Sequence, residues 1–117
     1  MTRRIGPVRR LLMGTQALIK KPENWCKFRY AKTMDGEPVN AFSPRACRFC
    51  PAGAIQKTGD TSTSATRTGA IDLLEDLIEN RTASRTISGF NDAPETTHPM
   101  IMRLFNKAIK RAKEQGV

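Results

Sequence analysis

The clearest amphipathic pattern of the chain is IDLLEDLIE, residues 71–79. Its apolar residues recur every three or four positions, and they are Ile71, Leu74, Leu77 and Ile78. The acids that fall between them are Asp72, Glu75, Asp76 and Glu79. On a helix of 3.6 residues per turn, this spacing collects the apolar side chains on one face and the carboxylates on the opposite face. The stretch therefore predicts an amphipathic helix that packs on a core.

A second helix is predicted over residues 7–21. Its apolar residues, again at helical spacing, are Val8, Leu11, Leu12, Leu18 and Ile19. Pro7 suits the first turn of a helix, and Pro22 ends it. Basic residues before an apolar stretch also occur in signal peptides, but here two lysines and a proline stand where a small-residue cleavage site would lie. The segment is therefore interpreted as part of the folded domain.

The last helix is predicted to begin near Thr97 or His98, with Pro99 in its first turn, and to end at Gly116. The side chains that would form its buried face are Ile101, Leu104, Phe105, Ala108, Ile109 and Ala112. The irregular stretch 87–94 leads into it.

The middle of the chain contains a turn pattern and an ambiguous helix start. Asp35-Gly36, with Val39 beyond it, predicts a β-hairpin. A helix begins either at Ser43-Pro44 or at Pro51, because a proline inside a helix clashes with the preceding turn. In the second case Cys50 occupies the N-cap. The polar residues 58–67 predict a mobile surface loop.

These segments predict a mainly α protein, a single domain over residues 1–117 with about four helices and one short β-hairpin, with an α+β fold as the alternative. Residues 1–6 are predicted to form a flexible basic arm. No apolar run approaches the roughly 20 residues that span a bilayer. Three cysteines are an odd number in a chain of 117 residues, which favours a reducing compartment, the cytoplasm of a bacterial cell.

The net charge of +9 is unevenly distributed. Residues 1–32 carry nine bases and one acid, residues 60–97 carry seven acids and three bases, and the tail from residue 98 is basic again. The bases predicted to bind a nucleic acid or an acidic protein surface are Arg3, Arg4, Arg9, Arg10, Lys20, Lys21, Lys27 and Arg29. Phe28 and Tyr30 lie among them and suit base stacking. The alternative is a solvated surface that the acids of residues 72–79 partly neutralise.

Cysteine and histidine offer two kinds of chemistry. Cys47 and Cys50 have the spacing of two thiolates that bind one zinc ion, and Cys26 with His98 would complete a tetrahedral site. Cys26 and His98 lack the compact spacing of known zinc sites, so no cofactor is predicted. A catalytic site would need Cys26 or Cys50 as a thiolate beside His98, with Asn91 or Asp92 orienting the imidazole.

Four motifs resemble an uncharacterised family of small proteins from bacteria and their phages, known as a domain of unknown function. They are Asn24-Trp25-Cys26, Asp35-Gly36-x-Pro38-Val39, Cys50-x-x-Gly53-Ala54-Ile55, and Asn91-Asp92-Ala93-Pro94 followed by Thr97-His98. The resemblance spans nearly the whole chain, and it departs from the family pattern at Phe49, where tryptophan is usual, and at Pro51. The family pattern has no cysteine at the position of Cys47. The resemblance therefore implies Cys26, Cys50 and His98 as the candidate site residues.

The function expected from these features is that of a non-enzymatic accessory or interaction protein, encoded by a phage or mobile element, that binds an anionic surface on nucleic acid or a host protein. The alternative is a small cysteine-dependent hydrolase or transferase that uses Cys26 or Cys50 with His98 and Asp92.

Overall fold

The computed structural model describes residues 4–78 and 85–117. Its helices are α1 (Pro7–Leu18), α2 (Pro51–Thr58), α3 (Ser64–Asp76), α4 (Ile87–Asp92) and α5 (His98–Gln115), with a 3-10 turn at Pro22–Asn24. Its strands are β1 (Ala31–Lys32), β2 (Pro38–Val39) and β3 (Arg48–Phe49). The mainly α prediction is confirmed, with a small sheet as its β part.

The helices at the two ends of the chain form an antiparallel pair. The main-chain oxygen of Val117 accepts a hydrogen bond of 2.8 Å from the Val8 amide, so α1 begins beside the end of α5. Further along, the Gln16 amide donates to Asn106 Oδ1 at 2.7 Å. Both helices bury their apolar face in one core, in which Leu12 and Phe105 are fully buried. The predicted starts at Pro7 and His98 and the predicted end at Gly116 are confirmed.

The predicted hairpin turns at Asp35-Gly36 and pairs β1 with β2, with Ala31 opposite Val39. A third strand, β3, pairs antiparallel with the other edge of β1, giving the order β2-β1-β3. This strand lies in the segment that one of the two alternatives placed in a helix from Ser43. The helix instead begins at Pro51 with Cys50 as its N-cap, which confirms the other alternative.

Two further predictions need correction. The loop predicted over residues 58–67 spans only 59–63, because α2 ends at Thr58 and α3 begins at Ser64. The Thr63 hydroxyl caps α3 by accepting a hydrogen bond from the Thr66 amide. The stretch 87–94, expected to be irregular, contains α4, whose six residues are too few to show a helical period. Of the segment 71–79, Glu79 lies outside the described residues, as do residues 1–3 of the predicted arm.

No helix in the described parts of the chain is long and apolar enough to cross a membrane.

Candidate functional site

The chain segment before α2 fixes the position of Cys50. The Cys50 amide donates to the Tyr30 carbonyl at 3.2 Å, which holds it against the loop of residues 26–30. Its sulfur accepts from the Gly53 amide at 3.3 Å and so caps α2. Proline at the next position has no amide hydrogen to satisfy and suits the first helical turn. Pro51 therefore fits the helix start.

Gly53 lets α2 approach this loop closely. A β-carbon at this position would lie 1.9 Å from the Tyr30 oxygen and 2.7 Å from its carbonyl carbon, distances that no side chain tolerates. The glycine of the Cys-x-x-Gly-Ala motif is thus explained by backbone packing on the 26–30 loop.

The Asn-Trp-Cys and Asn-Asp-Ala-Pro motifs meet in space. The fully buried Asn91 accepts from the Trp25 indole N–H at 2.7 Å and donates to the Cys26 carbonyl at 3.1 Å. Its amide also donates to Asp92 Oδ1 at 3.3 Å. We call this set of contacts between residues 25–28 and 91–93 the junction. It ties the 26–30 loop to the end of α4.

The junction holds the 26–30 loop in a strained conformation. Phe28 has φ of 72°, a left-handed backbone conformation that a non-glycine residue rarely adopts. Its amide donates to Asp92 Oδ1 at 2.8 Å. The Lys27 ammonium donates to the Ala93 carbonyl at 2.7 Å and lies 5.7 Å from the centre of the Trp25 ring. These bonds offset the strain and leave the side chains of residues 28–30 exposed.

The two thiols of this region are buried and carry their protons at neutral pH. Burial raises the pKa of the Cys26 thiol to about 11, with the Cys50 and Asp92 charges adding to the rise and Lys32 and Arg48 opposing it. Burial also raises the pKa of Cys50, against the opposing effect of backbone N–H groups at the start of α2. Neither thiol has the depressed pKa of an activated nucleophile.

His98 does not join the thiols. Its Nε2 lies 2.7 Å from the Ile19 carbonyl oxygen, which only accepts hydrogen bonds, so Nε2 is the donor. The imidazole meets the Trp25 ring edge-on, with ring centres 5.6 Å apart. Within the described residues no hydrogen bond links it to Cys26 or Cys50. The structure thus brings together Cys26, Cys50 and Asp92 and places the histidine against α1, without the thiolate–imidazole contact that the catalytic hypothesis needs.

We expect slow alkylation of Cys26 by iodoacetamide at pH 7, because only the thiolate reacts and its pKa is about 11. The rate should rise continuously with pH toward 11. The denatured chain is the control, since its thiols titrate near ~8.5. Mass spectrometry of the labelled peptides measures each cysteine separately, and rapid labelling of native Cys26 at pH 7 would contradict the assignment.

The described residues contain no group of three or more histidine, cysteine or acidic side chains placed to hold a metal. Cys47, the fourth candidate of the zinc hypothesis, directs its thiol to the Lys32 carbonyl at 3.8 Å.

An open cleft of about 310 Å³ lies beside the 26–30 loop. Its lining residues are Phe28, Arg29, Tyr30, Cys50, Ser88 and Asp92. The Phe28 and Tyr30 side chains are 65% and 55% exposed, which is unusual for aromatic rings and makes the rim of the cleft apolar. Arg29 contributes a positive charge to the rim, and Asp92 contributes a carboxylate.

The predicted anion-binding residues divide between two places. Lys27 and Arg29 belong to the junction and the cleft, whereas Arg4, Arg9, Arg10, Lys20 and Lys21 lie on α1 or its flanks, and Arg3 lies outside the described residues. The predicted set contained no base of α5. Exposed bases on or directly beside the two paired helices include Arg10, Lys20, Arg103, Lys110 and Lys113, a set that we call the basic face.

The basic face belongs to two helices that pack on each other. Gln16 of α1 donates to Asn106 of α5 at the surface of this contact. Residues 7–18 contain no acid, and α5 contains one, Glu114, which pairs with Arg111. The ten-residue spacing of Arg103 from Lys113 corresponds to roughly 15 Å of helix.

The chain belongs to a family of unknown function, DUF6197, whose model matches residues 4–111. No curated protein and no solved structure matches it.

Proposed function

We propose that this protein is a non-enzymatic binding protein that holds the phosphate backbone of nucleic acid on the basic face. The observation that carries the proposal is a pair of packed helices with five exposed bases, whose single acid, Glu114, pairs with Arg111. Lysine and arginine that contact phosphates release the counterions condensed on nucleic acid, and this release drives binding.

The bases of the basic face form no ion pair with another described residue. Among the described residues, the ion pairs with resolved geometry join Arg45 to Glu37 and Arg111 to Glu114. Of the α3 acids that might have neutralised the N-terminal bases, Glu75 instead accepts from the Ile87 amide at 2.8 Å and caps α4. The exposed side chains of the face can therefore meet an outside anion without breaking an ion pair to a described residue.

The dimensions of the basic face fit a nucleic acid. It is roughly 15 Å long, and packed helices lie about 8–10 Å apart. Duplex DNA carries one charge per ~1.7 Å of its axis, so a 15 Å length presents about nine phosphates. Five bases can each meet a phosphate on such a surface.

The test is fluorescence anisotropy with a labelled 20-base-pair DNA duplex at several salt concentrations. With five phosphate contacts, the slope of log K against log salt should be about −4 to −5. In the double variant Lys110→Gln with Lys113→Gln, we expect weaker binding to every sequence and a slope reduced in magnitude by about 2.

The matched control is Lys57→Gln, which removes an exposed base of α2 outside the basic face and should leave the slope unchanged. Poly-glutamate of the same charge is the competing ligand. The proposal is wrong if poly-glutamate binds more tightly than DNA, or if the double variant and the control have the same slope.

A further inference from the structure

We propose that the cleft beside the 26–30 loop binds one unpaired nucleotide, with its base on Phe28 and Tyr30, its amino group at Asp92 and its phosphate at Arg29. The cleft shares no residue with the basic face, so this site goes beyond the proposed backbone binding and is tested separately from it.

The aromatic side chains supply the first part of the argument. Phe28 and Tyr30 are largely exposed on the rim of the same cleft, and exposed rings in a basic protein are the usual platform on which unpaired bases stack. The strained backbone of Phe28 points the same way, because such strain persists where surrounding contacts maintain it, and it is concentrated at ligand sites.

The carboxylate of Asp92 supplies the second part. Its Oδ1 accepts from the Phe28 amide and from Asn91, which fixes the orientation of the group. Within the described residues Oδ2 accepts no hydrogen bond, although Asp92 lines the cleft. A free carboxylate oxygen suits the amino group of cytosine, which donates to aspartate and glutamate in known base recognition.

The third part is the charge and size of the site. Arg29 is exposed on the rim, and its guanidinium makes no ion pair with a described residue, so it can bind a phosphate at two points. The volume of about 310 Å³ is at the lower end of the range for small-molecule sites and fits one nucleotide rather than a larger ligand.

The experiment measures anisotropy of labelled twelve-residue oligo-dC and oligo-dT strands and of a duplex. We expect wild-type protein to prefer oligo-dC over oligo-dT. Tyr30→Leu should weaken oligo-dC binding about tenfold, because it removes one stacking platform, and should leave duplex binding unchanged. Tyr30→Phe retains the ring and should bind as wild type.

Asp92→Asn tests the base contact. The asparagine oxygen still accepts from the Phe28 amide, but a donor replaces the second acceptor, so the preference should shift from dC toward dT, whose base presents an acceptor. Loss of folding would not produce such a shift. Competition by CMP distinguishes a free nucleotide from a nucleotide within a strand. Displacement of oligo-dC at micromolar CMP indicates a site for free nucleotides. No displacement indicates a site for a nucleotide within a single strand.

Phe42→Leu is the matched control, because Phe42 is an aromatic residue 49% exposed outside the cleft. The inference is overturned if Tyr30→Leu and Phe42→Leu bind oligo-dC equally well, or if dC is not preferred over dT. Those results leave backbone binding intact as long as Lys110→Gln with Lys113→Gln still weakens binding to the duplex, so the two proposals fail separately.

Discussion

Gly53→Ala is expected to destabilise the protein by about 3 kcal/mol or more, a large part of the total stability of a small domain. The new methyl group would lie 1.9 Å from the Tyr30 oxygen. Neither partner can easily withdraw, because the Cys50 amide holds the Tyr30 carbonyl and the junction holds the rest of the 26–30 loop. Relief requires α2 to separate from the loop, which opens the cleft. Urea unfolding measures the effect.

Gly69→Ala is the matched control for this substitution. It also adds a methyl group to a helical glycine, but the nearest atom is a methyl carbon of the Val8 side chain at 3.1 Å, which can shift. Alanine is also favoured over glycine inside a helix by about 1 kcal/mol. The control should therefore lie within about 1 kcal/mol of wild type, and equal midpoints for the two variants would disprove the steric argument.

Asn91→Leu should cost about 3 kcal/mol, because leucine keeps the branched shape and the number of heavy atoms but removes the polar group on which the junction depends. The Trp25 indole N–H and the Cys26 carbonyl would lose their partner in a region where Asn91 itself is fully buried. Each unsatisfied buried group costs about 1–3 kcal/mol. Since Trp25 is the single tryptophan, its fluorescence reports the loss of the indole hydrogen bond directly.

The control for this second substitution is Asn106→Leu. Asn106 also accepts a hydrogen bond through its side chain, from Gln16, but it lies at the surface where water can replace the lost partner. We expect a change within about 0.5 kcal/mol. If the two leucine variants unfold at the same urea concentration, the junction does not stabilise the fold as argued.

The helices with long apolar periods were predictable from the sequence, and the short elements were not. The apolar spacing in α1 and α5, with prolines at their starts, defined both helices to within a few residues. By contrast β3 has two residues and α4 has six, which is too short for any period to appear. The sequence allowed two helix starts, one at Ser43-Pro44 and one at Pro51. The hydrogen bond from the Cys50 amide to the Tyr30 carbonyl favours the second, and this contact is visible only in the folded structure.

The candidate site was predictable only in part. Cys26, Cys50 and Asp92 were identified as a set, and they do lie together, but the position of His98 depends on how α5 packs on α1. The contribution of α5 to the basic face depends on the same packing. The left-handed backbone of Phe28 could not be foreseen, because phenylalanine has no preference for it and the Asp92 carboxylate that maintains it is distant in the sequence.

The junction has a consequence for the order in which the protein is made. Its hydrogen bonds join residues 64 to 66 positions apart, so the 26–30 loop has no partner until the residues of α4 have been synthesised. Contacts of such long sequence separation carry a high entropic cost of loop closure and form late in folding. During translation the residues of α1 are therefore synthesised well before the aromatic rim of the cleft takes its shape. A nascent or partly folded chain would carry N-terminal positive charge without the shaped cleft.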